Sequence, residues 1–90
     1  MYKLRFYITG HTAKTDRVIK MLRETLDDEC KEPYDLCVLD IFDNIDKAYE
    51  DNILVTPTLI KKKPLPSARI FGDLSDGQRV LTHLQMCLEE

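Results

Sequence analysis

Three cysteines and two histidines are the most reactive side chains in this 90-residue chain. Disulfide exchange in a small domain needs two thiols at close spacing, and Cys30, Cys37 and Cys87 offer no Cys-x-x-Cys pair. Their number is odd, and each falls within an apolar pattern. They therefore read as small buried core residues, which fits a reducing compartment. His11 follows the Gly10 turn with no cysteine or carboxylate at ligand spacing, so it reads as an exposed turn residue, not a metal ligand. His83 is expected on the outer face of a helix. Asp40 reads as a solvated strand-end carboxylate or a cap. Asp73 and Asp76 precede a helix, where the dipole favours them. No nucleophile–base pair, phosphate-binding glycine loop or metal cluster is visible. The residues thus predict a protein that is not an enzyme and carries no cofactor or metal.

The remaining candidate is conformational. From Ile53 to Lys61 an apolar approach runs into Thr56-Pro57, and a strand-like Thr58-Leu59-Ile60 follows at once. A proline opening a strand has no N–H for the ladder and belongs at the first residue or on an edge. The residue before it is pushed toward extended geometry, and the step suits a cis peptide bond. Thioredoxin-like folds place such a proline here, facing the functional surface. Lys61-Lys62-Lys63 is the one local basic run and reads as a solvated loop. The net charge of −3 argues against non-specific nucleic-acid binding. No apolar run approaches the roughly 20 residues needed to span a bilayer, and the N-terminus reads as strand, not as a signal peptide. A soluble, cytoplasmic protein is expected, with no membrane partner.

The elements that must position these residues follow from periodicity. Tyr2 to Thr9 alternates, with Tyr2, Leu4, Phe6 and Ile8 on one face and Lys3, Arg5, Tyr7 and Thr9 on the other, as a strand does. Thr12 or Thr15 can cap a helix on which Val18, Ile19, Leu22, Leu26 and Cys30 form one apolar stripe. Pro33 marks its end. Tyr34 to Ile41 is nearly continuous apolar strand, as expected where both faces are covered. Asp43 can cap a short helix carrying Ile45, Ala48 and Tyr49, and Asn52 suits its C-terminus. Strands at Thr58–Lys61 and Ala68–Phe71 flank Pro64-Leu65-Pro66. Ser75 and Gln78 fit a capping box ahead of Val80, Leu81, Leu84, Cys87 and Leu88. The aromatic residues are expected mostly in the core or on sheet faces. The order β-α-β-α-β-β-α gives one α/β domain over residues 1–90: a parallel core with a terminal hairpin, thioredoxin-like.

The stretches Leu4-Arg5-Phe6-Tyr7-Ile8-Thr9-Gly10, Glu50 to Leu59, Pro64-Leu65-Pro66 and Arg69-Ile70-Phe71-Gly72-Asp73-Leu74-Ser75-Asp76 together resemble the KaiB family of circadian clock proteins. The Gly-Asp-Leu-Ser-Asp block at its distance from Thr-Pro-Thr-Leu carries most of that resemblance. It implies a non-enzymatic regulator that binds a KaiC-like ATPase and, in clocks, also engages KaiA. It also implies two folds: a βαββααβ form that assembles as dimers and tetramers, and a thioredoxin-like form that binds KaiC. Arg17, Lys61 and Arg69 match basic positions of the family and are the implied partner contacts. Thr56, Pro57, Gly72, Asp73, His83 and Gln85 lie where the two folds differ.

The chain departs from clock members in that region. They resemble Ile-Gly-Leu-Asp where this sequence reads Thr82-His83-Leu84-Gln85. Glycine inside a helix costs about 1 kcal/mol relative to alanine, so its replacement by His83 predicts one uninterrupted C-terminal helix and a shift toward the thioredoxin-like form. Asn52 and Ala68 stand where clock members resemble Lys and Arg. These departures fit a KaiB-like protein from a non-cyanobacterial bacterium, acting in a clock-like or stress-related system. Two alternatives stay open: a thioredoxin-fold redox protein with one reactive cysteine, and a stand-alone KaiB-like sensory domain of a histidine-kinase pathway.

Overall fold

Strand β1 (Tyr2–Ile8) is the strand around which the sheet forms, and its alternation supplies a face to each side. The computed structural model describes residues 1–87. β1 pairs in parallel with β2 (Tyr34–Asp40) and antiparallel with β3 (Thr58–Lys63), and β4 (Ala68–Phe71) pairs antiparallel with β3. The sheet order is β2-β1-β3-β4. Helices α1 (Ala13–Glu29), α2 (Ile45–Glu50) and α3 (Gly77–His83) complete the expected thioredoxin-like order.

Leu4, Phe6 and Ile8 meet Leu22 and Leu26 of α1 and Val80 and Leu81 of α3 in the main core. On the opposite face Tyr7 packs with Leu39 and Ile60, flanked by Ile41, Ala48 and Ile53 around α2. Both Phe6 and Tyr7 are therefore core residues. The Thr12 hydroxyl accepts from the Thr15 amide while the Thr15 hydroxyl accepts from the Thr12 amide, a reciprocal cap that fixes where α1 begins. Asn52 adopts φ 53° after α2, as its tolerance of the left-handed region allows. The Thr56–Pro57 bond is cis, as are Lys63–Pro64 and Leu65–Pro66.

Several expectations are corrected. Asn44, not Asp43, stands at the start of α2, without a side-chain cap. Asp76 caps α3 by accepting from the Arg79 amide, and the Ser75 amide instead donates to Asp73, so the Ser75–Gln78 box does not form. The turn at Asp73–Ser75 occupies the Ser75 amide and delays the helix to Gly77, whose missing side chain lets the first turn of α3 lie against Thr25 of α1. The helix does not run on unbroken through Gln85. It ends at His83, and Gln85 and Cys87 take φ values of 56° and 54°. Leu88 lies outside the described residues. Phe42, Tyr49 and Phe71 are exposed, not core. Cys30 and Cys87, 57 residues apart, form a disulfide with their Cα atoms 5.0 Å apart. Cys37 is exposed on β2, so none of the three is an inert buried thiol.

Candidate partner-binding surface

The Thr56–Pro57 corner is where the elements converge. Thr58 Oγ1 donates to the Val55 carbonyl at 2.6 Å, and the Thr9 and Thr56 hydroxyls are 2.6 Å apart, which ties the corner to the end of β1. On one side of it a groove of about 470 Å³ runs between α1 and the loop before α3. Val18, Met21, Pro57 and Leu74 form its apolar floor, and Lys14, Arg17, Asp73 and Ser75 its polar rim. Gly72 lines the groove at φ 91°, a backbone geometry that glycine adopts without penalty. Asp73 accepts from the Ser75 hydroxyl and amide, which holds its carboxyl below the usual range.

On the other side an apolar surface is left uncovered. Phe42, Ile45, Tyr49 and Leu54 surround a shallow depression of about 450 Å³ at α2. Tyr49 is 85% exposed and Leu54 92%. Contiguous exposed apolar side chains of this kind are a mark of interaction surfaces. Asp43, Asp46 and Glu50 lie along the same segment and give it an acidic border.

Beneath α2 lies an ion network with no counterpart in the expectations drawn from sequence. Asp51, 5% exposed, accepts from Arg5 Nη1 at 2.8 Å, from the Tyr7 hydroxyl at 2.5 Å and from Lys62 Nζ at 2.5 Å. Burial alone would push Asp51 upward, but the bonds from Lys62, Tyr7 and Arg5 prevail and bring it down to about 2. Burial, reinforced by the bond to Asp51, pushes Tyr7 up to about 12. The bond to Asp51 raises Arg5 as well, against the opposing effect of burial. Asp51 is also the residue that closes α2. The network therefore fastens the end of α2 to β1 and β3. The available signal was Arg5 and Tyr7 two apart on one strand face, a cation and a phenol directed under a helix that ends in an acid.

The predicted contact residues do not form one patch. Arg17 is exposed on α1 and borders the groove. Lys61 is buried at 2% exposure in β3, because strand alternation places it on the same face as Leu59. The Lys61-Lys62-Lys63 run is thus strand and not solvated loop: one lysine is buried, one is bound to Asp51, and only Lys63 is exposed. Arg69 points away from the core positions Ala68 and Ile70, and its Nη1 donates to the Asn52 carbonyl at 3.3 Å. His83 Nε2 donates to the Arg69 carbonyl at 3.0 Å. His11 has a partner after all, Asp16, with Nδ1 and Oδ1 2.9 Å apart on the surface. Asp40 acts as a cap, accepting from the Phe42 amide at 3.0 Å. Among the described residues no cluster of metal ligands occurs, and no helix is long and apolar enough to cross a membrane.

A family model described as the KaiB domain matches residues 5–86. The chain belongs to the KaiB family. It is 45% identical over 89 residues to the circadian clock oscillator protein KaiB of Rippkaea orientalis, covering 99% of this chain and 86% of that one. It is 47% identical to the protein of the same name from Prochlorococcus marinus strain MIT 9211, covering 99% and 78%. The fold is also similar to the N-terminal domain of Synechococcus elongatus SasA, with a TM-score of 0.75 at 17% identity over 92% of this chain and 78% of that one. The KaiB match includes both the groove and the α2 surface, so neither is an appendage to the family domain.

Proposed function

We propose that this KaiB-family chain is a non-enzymatic regulator that works in the cytoplasm by docking on a KaiC-like ATPase, in a clock-like or stress-related system. The observation that carries this reading is the KaiB match across residues 5–86, with relatives named as clock oscillator proteins. The groove at Arg17 and the apolar surface at Tyr49 and Leu54 flank one corner, and a partner spanning Pro57 reaches both. Arg69 sits at the border of the α2 surface through Asn52. Lys61 is buried in this form, so the contact surface argued here rests on Arg17 and Arg69. Assembly into dimers or tetramers belongs to the alternative βαββααβ form and is part of the same proposal.

Titrating the chain against a purified KaiC-like hexamer in the presence of ATP and ADP tests the reading. Arg17→Glu is expected to weaken association about tenfold and reduce its salt sensitivity, as losing one charged contact worth about 1.4 kcal/mol does. Lys20→Glu, outside the groove, should leave it unchanged. If the wild-type chain does not associate under any nucleotide condition, the reading is overturned.

A further inference from the structure

We propose that Cys30 and Cys87 form a reversible thiol–disulfide switch that fastens the segment following α3 to the end of α1. The 5.0 Å between their Cα atoms is within the range of about 4.4–6.8 Å that a disulfide spans without backbone movement. Cys30 is a fixed point: it ends α1, and its amide donates to the Leu26 carbonyl at 2.9 Å. Cys87 is held differently. After His83 the chain leaves helical geometry, and Leu84 to Cys87 has few backbone bonds, Met86 to Leu81 at 2.9 Å and Gln85 to Thr82 at 3.1 Å among them. The Cys87 amide reaches the Tyr2 hydroxyl at 3.1 Å. Two buried side chains, Leu84 and Met86, anchor this irregular segment. The disulfide supplies the one covalent attachment. Both cysteines are half-buried, open to a small disulfide reagent yet not freely displayed.

The chemistry is complete with a low-molecular-weight disulfide as oxidant. One thiolate attacks the reagent and forms a mixed disulfide, releasing one reagent thiol. The second thiolate then displaces the other reagent thiol and forms the Sγ–Sγ bond. Two electrons pass to the reagent, whose own S–S bond is cleaved, and the two protons lost by the cysteines end on the released thiols. The link closes a span of 57 residues and so restricts the unfolded chain strongly. Reduction leaves the segment held only by non-covalent contacts, the buried Leu84 and Met86 and a few hydrogen bonds including Cys87 to Tyr2, and so more open to local unfolding. The thiol poise of the compartment then sets how firmly the C-terminal segment is docked, whichever partner the protein serves.

The test uses the full chain carrying Cys37→Ser, equilibrated over a series of glutathione to glutathione-disulfide ratios. Acid quench, alkylation and intact mass count the free thiols. Thermal melting and hydrogen exchange at residues 84–87 report the consequence. The pair is expected to convert to the intramolecular disulfide, to melt at least about 10 °C higher when oxidised, and to slow exchange at Met86 and Cys87. Cys30→Ser and Cys87→Ser should melt like the reduced parent and ignore dithiothreitol. The reduced parent gives the same comparison if those variants do not fold. Two thiols that remain alkylatable at every ratio, or equal melting of the oxidised and reduced parent, would overturn the switch.

Discussion

The two halves of the molecule are built on different terms. In the first, β1 and β2 pair along seven residues each and are joined by a 17-residue helix whose start is fixed by a reciprocal cap. In the second, β3 has six residues, β4 four and α3 seven. A helix of that length is marginal in water on its own propensity. The first half would retain local preferences if its neighbours were taken away. The second half has its shape because Leu74, Val80, Leu84 and Met86 are buried against the first. Local pattern specifies one half, and tertiary contact specifies the other. The two are joined across the opposite face by Asp51, which binds Arg5 and Tyr7 of β1 and Lys62 of β3.

Cutting that joint should have the largest effect. Asp51→Ala leaves two cations and a phenol without their acceptor under α2. We expect a loss of about 3–5 kcal/mol in urea unfolding, with α2 detaching first by hydrogen exchange. Leu84→Ala should cost about 2–5 kcal/mol. Leu26→Ala in α1 should cost a similar amount globally, but only the Leu84 variant should raise exchange selectively in α3. Equal patterns from the two would remove the distinction between the halves.

The pH dependence sharpens the same point. Asp51 is held near 2 in the folded chain. It contributes about 2 kcal/mol of stability that is present above about pH 4 and lost as pH falls toward 2. Tyr7 is raised to about 12, so its contribution is present below about pH 10 and lost as pH rises through 12. Urea midpoints across pH should fall at both ends, and Tyr7→Phe should remove the alkaline loss and, by taking one bond from Asp51, shrink the acid loss as well. The smallest effect is expected at the cap: Thr12→Ala should cost about 1 kcal/mol, with chevron analysis assigning it to the first half.

Legibility in the sequence followed the same division. The alternation of β1 and the 3.6-residue stripe of α1 were readable because each is a local period matched by burial. The four strands, three helices and their order followed from such periods and from Gly10, Pro57 and Gly72. What was missed depends on distance along the chain. Cys30 and Cys87 meet only once α3 is docked on α1. Asp51 finds Arg5, Tyr7 and Lys62 only once α2 covers the sheet. Lys61 looked solvated because three lysines in a row suggest a loop, whereas the period of two assigns alternate lysines to opposite faces. Ser75 and Asp76 are both competent caps, and Asp76 takes the role because the Ser75 amide is bound by Asp73 and α3 begins only at Gly77, whose first turn lies against Thr25, some fifty positions away in a different helix.

The contact between Gly77 and Thr25 has a mechanical consequence. A Cβ on Gly77 would overlap the Thr25 side chain, so the first turn of α3 rests on α1 with no gap between them. The close approach to Thr25 at one end and the buried Leu84 and Met86 at the other restrain this short helix at both ends. Gly77→Ala is expected to force either the first turn of α3 or the Thr25 side chain to move, at a cost of about 1–3 kcal/mol. The seating of α3 on α1 therefore depends on a side chain that is missing, at Gly77.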